Sequence, residues 1–375
     1  MSKKPTVISL FSGGGGLDLG LAAAGFSILF ENDIDSASCK TLKLNGPKAK
    51  EHGLSGFEKT HTQEGDIREL QGSQILNLSN LQRGEVDVMA GGPPCQAFSV
   101  FGKRRGTGDQ RGQLSFEYKR VLGEIAPKTF VFENVAGILT VENGETYRRL
   151  LEELAHPADD ICYHIFANRV DAHDYFVPQN RDRVIIIGVR EDIAKQNNIR
   201  GVEIKRITSV QPDNNLLPAR TVSDAFRGLP ELKPNQICVP PFPNHHGRKH
   251  SEGIIQRYSV LGPGERDGKT RINKLDPTKP SYTIVVGSDK GGGKGHVHPT
   301  EGREVTPRES ARIQTFPDWW EFTGSVRDEI RQVGNAVPAL LAFAIGNAIR
   351  TDILGLQKVS LETGLARLGQ QHLIG

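Results

Sequence analysis

The sequence Gly91-Gly92-Pro93-Pro94-Cys95-Gln96-Ala97-Phe98-Ser99 sets one cysteine directly after the apolar run Val86 to Ala90. A lone cysteine is more often a small buried hydrophobe than a nucleophile. Here two glycines and two prolines fix the backbone and leave little for a core to pack, so the sequence predicts a thiol exposed for reaction. Further on, the run Phe130 to Phe132 ends in Glu133-Asn134-Val135, which sets a carboxyl group at the same edge of a sheet; the alternative is an ordinary strand-end residue at the surface. A thiol and an acid so placed suit the activation of cytosine, whose carbon 5 is too poor a nucleophile to attack a methyl sulfonium unaided. Thiolate addition at carbon 6, with an acid on ring nitrogen 3, makes an enamine whose carbon 5 can attack. Gln179-Asn180-Arg181-Asp182-Arg183 comes immediately before a third apolar run. Its arginines either orient the acid, hold a target phosphate, or form a surface ion pair with Asp182; the reading preferred here gives the first role to Arg183 and the second to Arg181.

The elements that must position these groups are legible as short apolar runs, Val7 to Phe11, Ser27 to Glu31, Val86 to Ala90, Phe130 to Glu133 and Val184 to Val189, separated by amphipathic stretches. That alternation predicts an α/β fold, a doubly wound and mostly parallel sheet with helices on both faces. Helices are expected at Leu17 to Ala24 and Leu114 to Ile125. The first strand runs into Ser12-Gly13-Gly14-Gly15-Gly16-Leu17-Asp18, a glycine-rich turn opening a helix, which is either a nucleoside site or a plain tight turn. The next strand ends in Glu31-Asn32-Asp33, with Asp33 placed to accept hydrogen bonds from ribose hydroxyls. Asp66, in Gly65-Asp66-Ile67, either binds an adenine amino group or caps a turn.

After about Arg190 prolines, glycines and basic residues become dense. Between Asp192 and Thr306 there are 18 Lys plus Arg against 12 Asp plus Glu, a surplus of +6 in a chain whose net charge is +3, so the remainder sums to −3. This predicts a second, smaller and irregular domain that is either solvated or phosphate-facing. Domain bounds are set at 1–190, completed by 325–375, and at 191–324. Thr306 to Gln314 reads as a helix with Thr306 as N-cap, Pro307 in first position and Glu309 third. Ala336 to Ile349 reads as a buried helix, and 351–375 as one more.

With 375 residues, 37% hydrophobic and 24% charged, the chain is long enough for two domains. Its longest apolar stretch, Val184 to Val189, is far short of the roughly 20 residues that span a bilayer, and no leader pattern follows Lys3 and Lys4. Four scattered cysteines fit neither a disulfide framework nor a zinc site. A reduced, cytoplasmic, metal-free protein is expected.

In order and spacing these residues resemble the DNA cytosine-5 methyltransferase family, of the bacterial restriction–modification type. The resemblance rests on Phe11 to Gly16, Asp33, Gly65-Asp66-Ile67, the Pro-Pro-Cys-Gln loop, Glu133-Asn134-Val135, Gln179-x-Arg181-x-Arg183, Pro307 to Gln314, and Gln332-Val333-Gly334-Asn335-Ala336-Val337-Pro338. It implies a Rossmann-like S-adenosylmethionine-dependent methyltransferase that yields S-adenosylhomocysteine. Cys95 would attack the base, Glu133 would contact its nitrogen edge, and Arg183 would support both. Phe11, Gly13, Gly15, Gly16, Leu17, Asp33, Ile34, Asp66, Ile67, Pro94, Asn335, Ala336 and Val337 would hold the cofactor. Relatives often carry an aromatic residue where this chain has Ile34, which implies weaker cofactor binding. The basic segment falls where the family keeps its target-recognition region. Double-stranded DNA is the implied partner, its target base flipped out of the duplex, with Gln96 and Ser99 lining the vacated space and Thr283 anchoring the small domain. Arg248, Lys249, Arg257, Lys290 and Lys294 are candidate contacts to bases or phosphates. A monomer is implied, with a cognate endonuclease acting on the same site. Competing readings are a transfer-RNA methyltransferase, a silent DNA-binding regulator and a nicotinamide dehydrogenase, the last leaving the cysteine loop unused. The segment 46–64 has no evident role in the sequence.

Overall fold

The protein is described by a computed structural model over residues 4–94, 114–211, 215–236, 242–285 and 295–374. Seven strands, β1 (Thr6–Leu10), β2 (Ser27–Asp33), β3 (His61–Glu64), β4 (Val88–Gly91), β5 (Thr129–Val135), β6 (Tyr163–Asp171) and β7 (Asp182–Arg190), form one sheet in the order β3-β2-β1-β4-β5-β7-β6. The first five are parallel. β7 runs antiparallel between β5 and β6. The expected mostly parallel α/β sheet is therefore present.

Both faces of the sheet are covered, and the two-residue period of the strands sorts their side chains between two cores. Val7, Val88, Val131, Ile185 and Ile187 enter one cluster, while Ile8, Met89, Phe130, Phe132 and Ile186 enter the other. On the first face the Gly16–Ala23 helix lies against the Ala339–Ala348 helix with almost no side chain between them. A methyl group at Gly20 would sit 2.3 Å from the Ala339 carbonyl oxygen, and one at Gly16 would sit 2.2 Å from that of Val337. Only glycine permits that approach.

Several element bounds differ from expectation for local reasons. The C-terminal helix begins at Ala339 and not at Ala336, because Ala336 caps a preceding Val326–Asn335 helix and Pro338 caps the next. The tail is broken, with a π-helical turn at Ile349–Ile353 followed by a short Leu361–Arg367 helix. The stretch Val326–Ile353 is long and apolar enough to cross a membrane, but 94% of its most apolar window is buried inside the protein. Segment 46–64 acquires a physical role: Leu54 and Phe57 are buried, and His52 stacks on Trp319 at 4.8 Å between ring centroids. Just before it, the Asn45 side chain donates to the Glu321 carbonyl at 2.7 Å and accepts from the Glu321 N–H at 2.9 Å. This region is a wall that holds residues 317–323.

The Pro307–Ile313 helix forms as its capping box predicts, with Thr306 and Glu309 reciprocally bonded. Glu309 also receives both terminal nitrogens of buried Arg303, at 2.8 and 2.7 Å. Burial opposes ionisation of Glu309, but the Arg303 hydrogen bonds and charge outweigh it and hold the carboxyl at about 2. Removing one member of such a pair strands the other charge. Glu309→Ala is expected to lower unfolding free energy by about 3–5 kcal/mol, read from urea denaturation; a loss below about 1 kcal/mol would show that water or another group compensates Arg303.

Candidate active site

The carboxyl ends of β1, β2, β4 and β5 and the start of β7 meet at one edge of the sheet around a cavity of about 830 Å³. This is the edge where open α/β sheets bind ligands. Because β7 is antiparallel to β5, its first residues lie beside the last residues of β5, with Val135 paired to Arg183. The Arg183 Nε then stands 2.8 Å from Glu133 Oε1, as an ion pair with both side chains about nine-tenths buried. Gly92 makes room for that carboxyl group, since a methyl there would lie 2.8 Å from Glu133 Oε2. Asn134, next on the strand, donates from Nδ2 to the Pro93 carbonyl at 3.2 Å. Glu133, Asn134, Pro93 and Pro94 all line the cavity. Cys95, Gln96 and Ser99 lie outside the described residues.

Arg181 corrects its expected role. It is not a surface clamp for phosphate but is 2% exposed, donating to the Ile284 carbonyl at 3.3 Å and the Gly334 carbonyl at 2.9 Å. Burial and the neighbouring Arg183 charge, opposed by Glu133, bring its guanidinium down to about 9. Beside it the Gln179 side chain accepts from the Ile284 N–H at 3.1 Å and donates to Gln314 at 2.8 Å. Gln314 in turn donates to the Val333 carbonyl. The Gln-x-Arg segment thus ties the segment at Ile284 to the helix that completes the cavity.

The other half of the cavity is the glycine turn and its surroundings. Asp33 accepts from the Gly13 N–H at 2.8 Å through one oxygen and from the Asp35 N–H at 2.9 Å through the other, and burial raises its pKa. Gly13, at φ +53°, has open space where a side chain would be. Ile34 is 67% exposed and lines the cavity, presenting an apolar surface to it. Phe11, Gly16, Leu17, Ile67, Asn335, Ala336 and Val337 complete the lining. Asp66 lines it as well, but it also caps a turn by accepting from the Arg68 N–H at 3.0 Å, and Arg68 grips its carboxylate. Gly15 is a correction. It backs away from the cavity, where any side chain would meet the Trp320 ring at 2.7 Å and Leu42 at 2.9 Å.

Two features of this region escaped the sequence reading. Asp18 and Glu31 are buried acids beneath the turn, 0% and 1% exposed. Periodicity alone marks both positions as core, but nothing in the motif pattern pairs them. Trp320, one of two adjacent tryptophans in a chain that has only 2, sits directly behind the glycines, and its rarity was an unused signal.

Among the proposed contacts to nucleic acid, Arg257 pairs with buried Asp267 at 2.6 Å and Arg248 with Glu304 at 3.0 Å. Both are therefore paired to acids within the protein while their side chains remain about a third exposed, 28% for Arg257 and 37% for Arg248. Lys249 is exposed. Thr283 donates to the Asn180 carbonyl at 2.7 Å and so anchors its segment to the loop before β7. Lys290 and Lys294 lie outside the described residues.

The family model of the C-5 cytosine-specific DNA methylase matches residues 5–351. Type II methyltransferase M.Eco47II of Escherichia coli is 36% identical over 92% of this chain and 78% of its own length. Type II methyltransferase M.PspPI of Psychrobacter is 35% identical over 93% and 79% respectively. A solved E. coli structure, provisionally described as a prophage-encoded DNA modification methyltransferase, superposes with a TM-score of 0.73 at 27% identity, covering 94% of this chain and all of its own.

The buried acids give a testable pH dependence. Burial, slightly offset by Ser9, raises the Asp18 carboxyl from 3.8 to about 7. An acid whose folded pKa is raised keeps its proton in the fold while the unfolded chain has released it. Its contribution to stability is therefore complete below about pH 4 and declines as pH rises to about 7. Asp18→Asn is expected to raise the melting temperature by several degrees at pH 8 and by much less at pH 5; an equal effect at both values would place the ionisation elsewhere.

Proposed function

The chain belongs to the C-5 cytosine-specific DNA methylase family and is a DNA cytosine-5 methyltransferase; from that premise we propose how its residues divide the reaction. The observation that carries the proposal is the Glu133–Arg183 pair at the cavity wall, beside the Pro93-Pro94 segment that leads in sequence to Cys95. Cys95 is the nucleophile. Its thiolate adds to carbon 6 of a flipped-out cytosine while Glu133 delivers a proton to ring nitrogen 3, so that the electron pair of the carbon 5–carbon 6 bond becomes available at carbon 5. After carbon 5 has taken the methyl group, the nitrogen proton returns to Glu133, the carbon 5 proton leaves to a base, and the thiolate is expelled. Arg183 holds the Glu133 carboxyl in position throughout. Arg181 acts from within, fixing Gly334 and Ile284 around the site.

S-adenosylmethionine, when bound, supplies the electrophilic methyl group. The cavity fits it on chemical grounds. Asp33 offers a carboxylate suited to ribose hydroxyls, Ile34 an exposed apolar surface for adenine, and Gly13 an open backbone beside a helix start. Asp66, already engaged by Arg68, supports the adenine end mainly by shaping the loop. Residues 191–324 are assigned to target recognition in double-stranded DNA, their retained basic surplus serving phosphate contact. The names of the most similar relatives favour a role as the modification enzyme of a Type II restriction system, protecting sites from a partner endonuclease.

Transfer of labelled methyl from S-adenosylmethionine to unmethylated duplex DNA and to transfer RNA, with bisulfite sequencing of the DNA, tests the reaction. Label at one short recurring DNA motif is expected, with Cys95→Ser abolishing turnover while retaining site-specific DNA binding, because a hydroxyl is a far weaker nucleophile than a thiolate. Label in transfer RNA alone, or turnover by Cys95→Ser near that of the unmodified chain, would overturn the assignment. Glu133→Gln is expected to lower single-turnover methylation by roughly 10²–10⁴-fold with DNA affinity little changed; a parallel loss of DNA affinity would make Glu133 a binding group instead.

A further inference from the structure

The glycine turn is held from behind by one side chain that the reaction scheme does not use. Trp320 is 0% exposed, and its indole N–H donates to the Gly14 carbonyl at 3.0 Å. The same ring occupies the space behind Gly15, with Cζ2 2.7 Å from where a methyl would be. Leu42 shares that space, its Cδ2 2.9 Å from the same point. Phe57 and Phe316 pack on the indole at 6.2 and 6.5 Å between centroids, so the ring has no freedom to turn.

The Trp320 peptide is clamped as firmly as its ring. Arg308, itself 0% exposed, donates to the Trp320 carbonyl at 2.5 Å and to the Pro317 carbonyl at 2.9 Å. The same guanidinium donates to the Pro243 carbonyl at 2.8 Å. Asn244 then brackets Phe322, accepting from its N–H at 2.9 Å and donating to its carbonyl at 2.8 Å. Among the described residues, Glu133 and Arg183 pair with each other and Arg183 also donates to the Asp182 carbonyl, none of them part of this assembly.

A turn whose backbone a ligand approaches closely binds well only if its peptide planes are fixed beforehand; otherwise binding must supply the ordering free energy. Four glycines in a row do not fix their own planes; here the Gly13 N–H is held by Asp33, the Gly15 N–H by the Ser12 carbonyl at 2.9 Å, and the Gly14 carbonyl by Trp320. We propose that Trp320 is a positioning residue for the cofactor: its N–H fixes the Gly13-Gly14-Gly15 peptides in the binding geometry, and its ring bars the turn from collapsing backward. The inference rests on the cofactor reading of the cavity. It predicts a loss in cofactor affinity with the methyl-transfer step itself spared, because Trp320 lies behind the turn and apart from Glu133 and Arg183.

Trp320→Phe keeps most of the packing and removes the N–H. Calorimetric titration with S-adenosylhomocysteine is expected to show a Kd raised about five- to tenfold, the scale of one lost buried hydrogen bond. KM for S-adenosylmethionine should rise in step, with kcat at saturation within about twofold. Trp319→Phe, which keeps an aromatic ring both in the stack on His52 and in the edge contact with Trp320 at 5.5 Å between centroids, serves as the control and leaves Trp320 as the sole indole. In that variant the single indole N–H resonance should be protected from solvent exchange and should shift when S-adenosylhomocysteine is added, a reading that needs no change at Trp320. Equal affinities for Trp320→Phe and the unmodified chain, or an indole resonance unmoved by the ligand, would overturn this inference alone. Absence of binding by the unmodified chain would overturn the cofactor reading and this inference with it.

Discussion

The contact on which the rest of the site depends is the backbone-to-backbone packing of two helices from opposite ends of the chain. Gly16 and Gly20 on the first helix lie against the carbonyl oxygens of Val337 and Ala339, and Gly346 on the second has no room for a side chain beside Ala24. This seam does more than fill a core. It brings Asn335, Ala336 and Val337 to the rim of a cavity whose floor is the turn after β1. A methyl at Gly16 or Gly20 would wedge the seam open by more than any side-chain adjustment absorbs, since the obstruction is backbone. The glycine-turn half of the cavity is in this sense a consequence of chain closure. Residues 307–338 must be folded back before the glycine turn has a second wall.

Buried arginines carry out much of that closure. Arg181, Arg303 and Arg308 rank among the largest fully buried side chains. Arg303 has a carboxylate partner; Arg181 and Arg308 bond mainly to carbonyl oxygens at helix ends and loops. A planar fork with five donors satisfies several carbonyls at once, which a lysine cannot do. Desolvation brings Arg308 down to about 10, still above neutral pH, so the charge persists in the interior. Arginines of the 191–324 segment are likewise tied to acids: Arg248 to Glu304 and Arg257 to Asp267, acids that the surplus of +6 already subtracts, and Arg303 to Glu309, just beyond the counted stretch.

The parallel part of the fold was legible because each buried strand is an apolar run ending in a residue with chemistry: Phe11, Asp33, Gly92 and Glu133 all follow the run that delivers them. β6 and β3 were not, since edge strands alternate or are largely polar and lack such runs; β3 reads His-Thr-Gln-Glu. The Val326–Asn335 helix was missed for a related reason. Its apolar face is narrow, and its Ser325 cap lies within a polar stretch that reads as loop. Glu133 and Arg183 were recognisable as a pair because sequence distance is irrelevant once both stand at one sheet edge. Gly15 and Arg181 were misassigned because motif membership says that a residue matters to a site without saying from which side. Gly13 opens on the cavity while Gly15, two residues on, faces Trp320, and this distinction exists only in three dimensions.

The end of β5 shows how little freedom the reactive geometry retains. Side chains alternate along a strand, so Glu133 and Asn134 leave it in opposite directions. Glu133 meets Arg183 across the space that Gly92 leaves open, and Asn134 grips the Pro93 carbonyl on the loop from β4. One peptide unit therefore governs both the acid and the segment that leads to the nucleophile. Their spacing is set by the covalent geometry of a strand whose flanks are pinned on one side by β4 and on the other by β7. Placing first contacts on rigid elements limits the error in their separation to fractions of an ångström. The Glu133–Arg183 pair is thus held by neighbouring strands of one sheet and takes no partner from the described residues of 191–324.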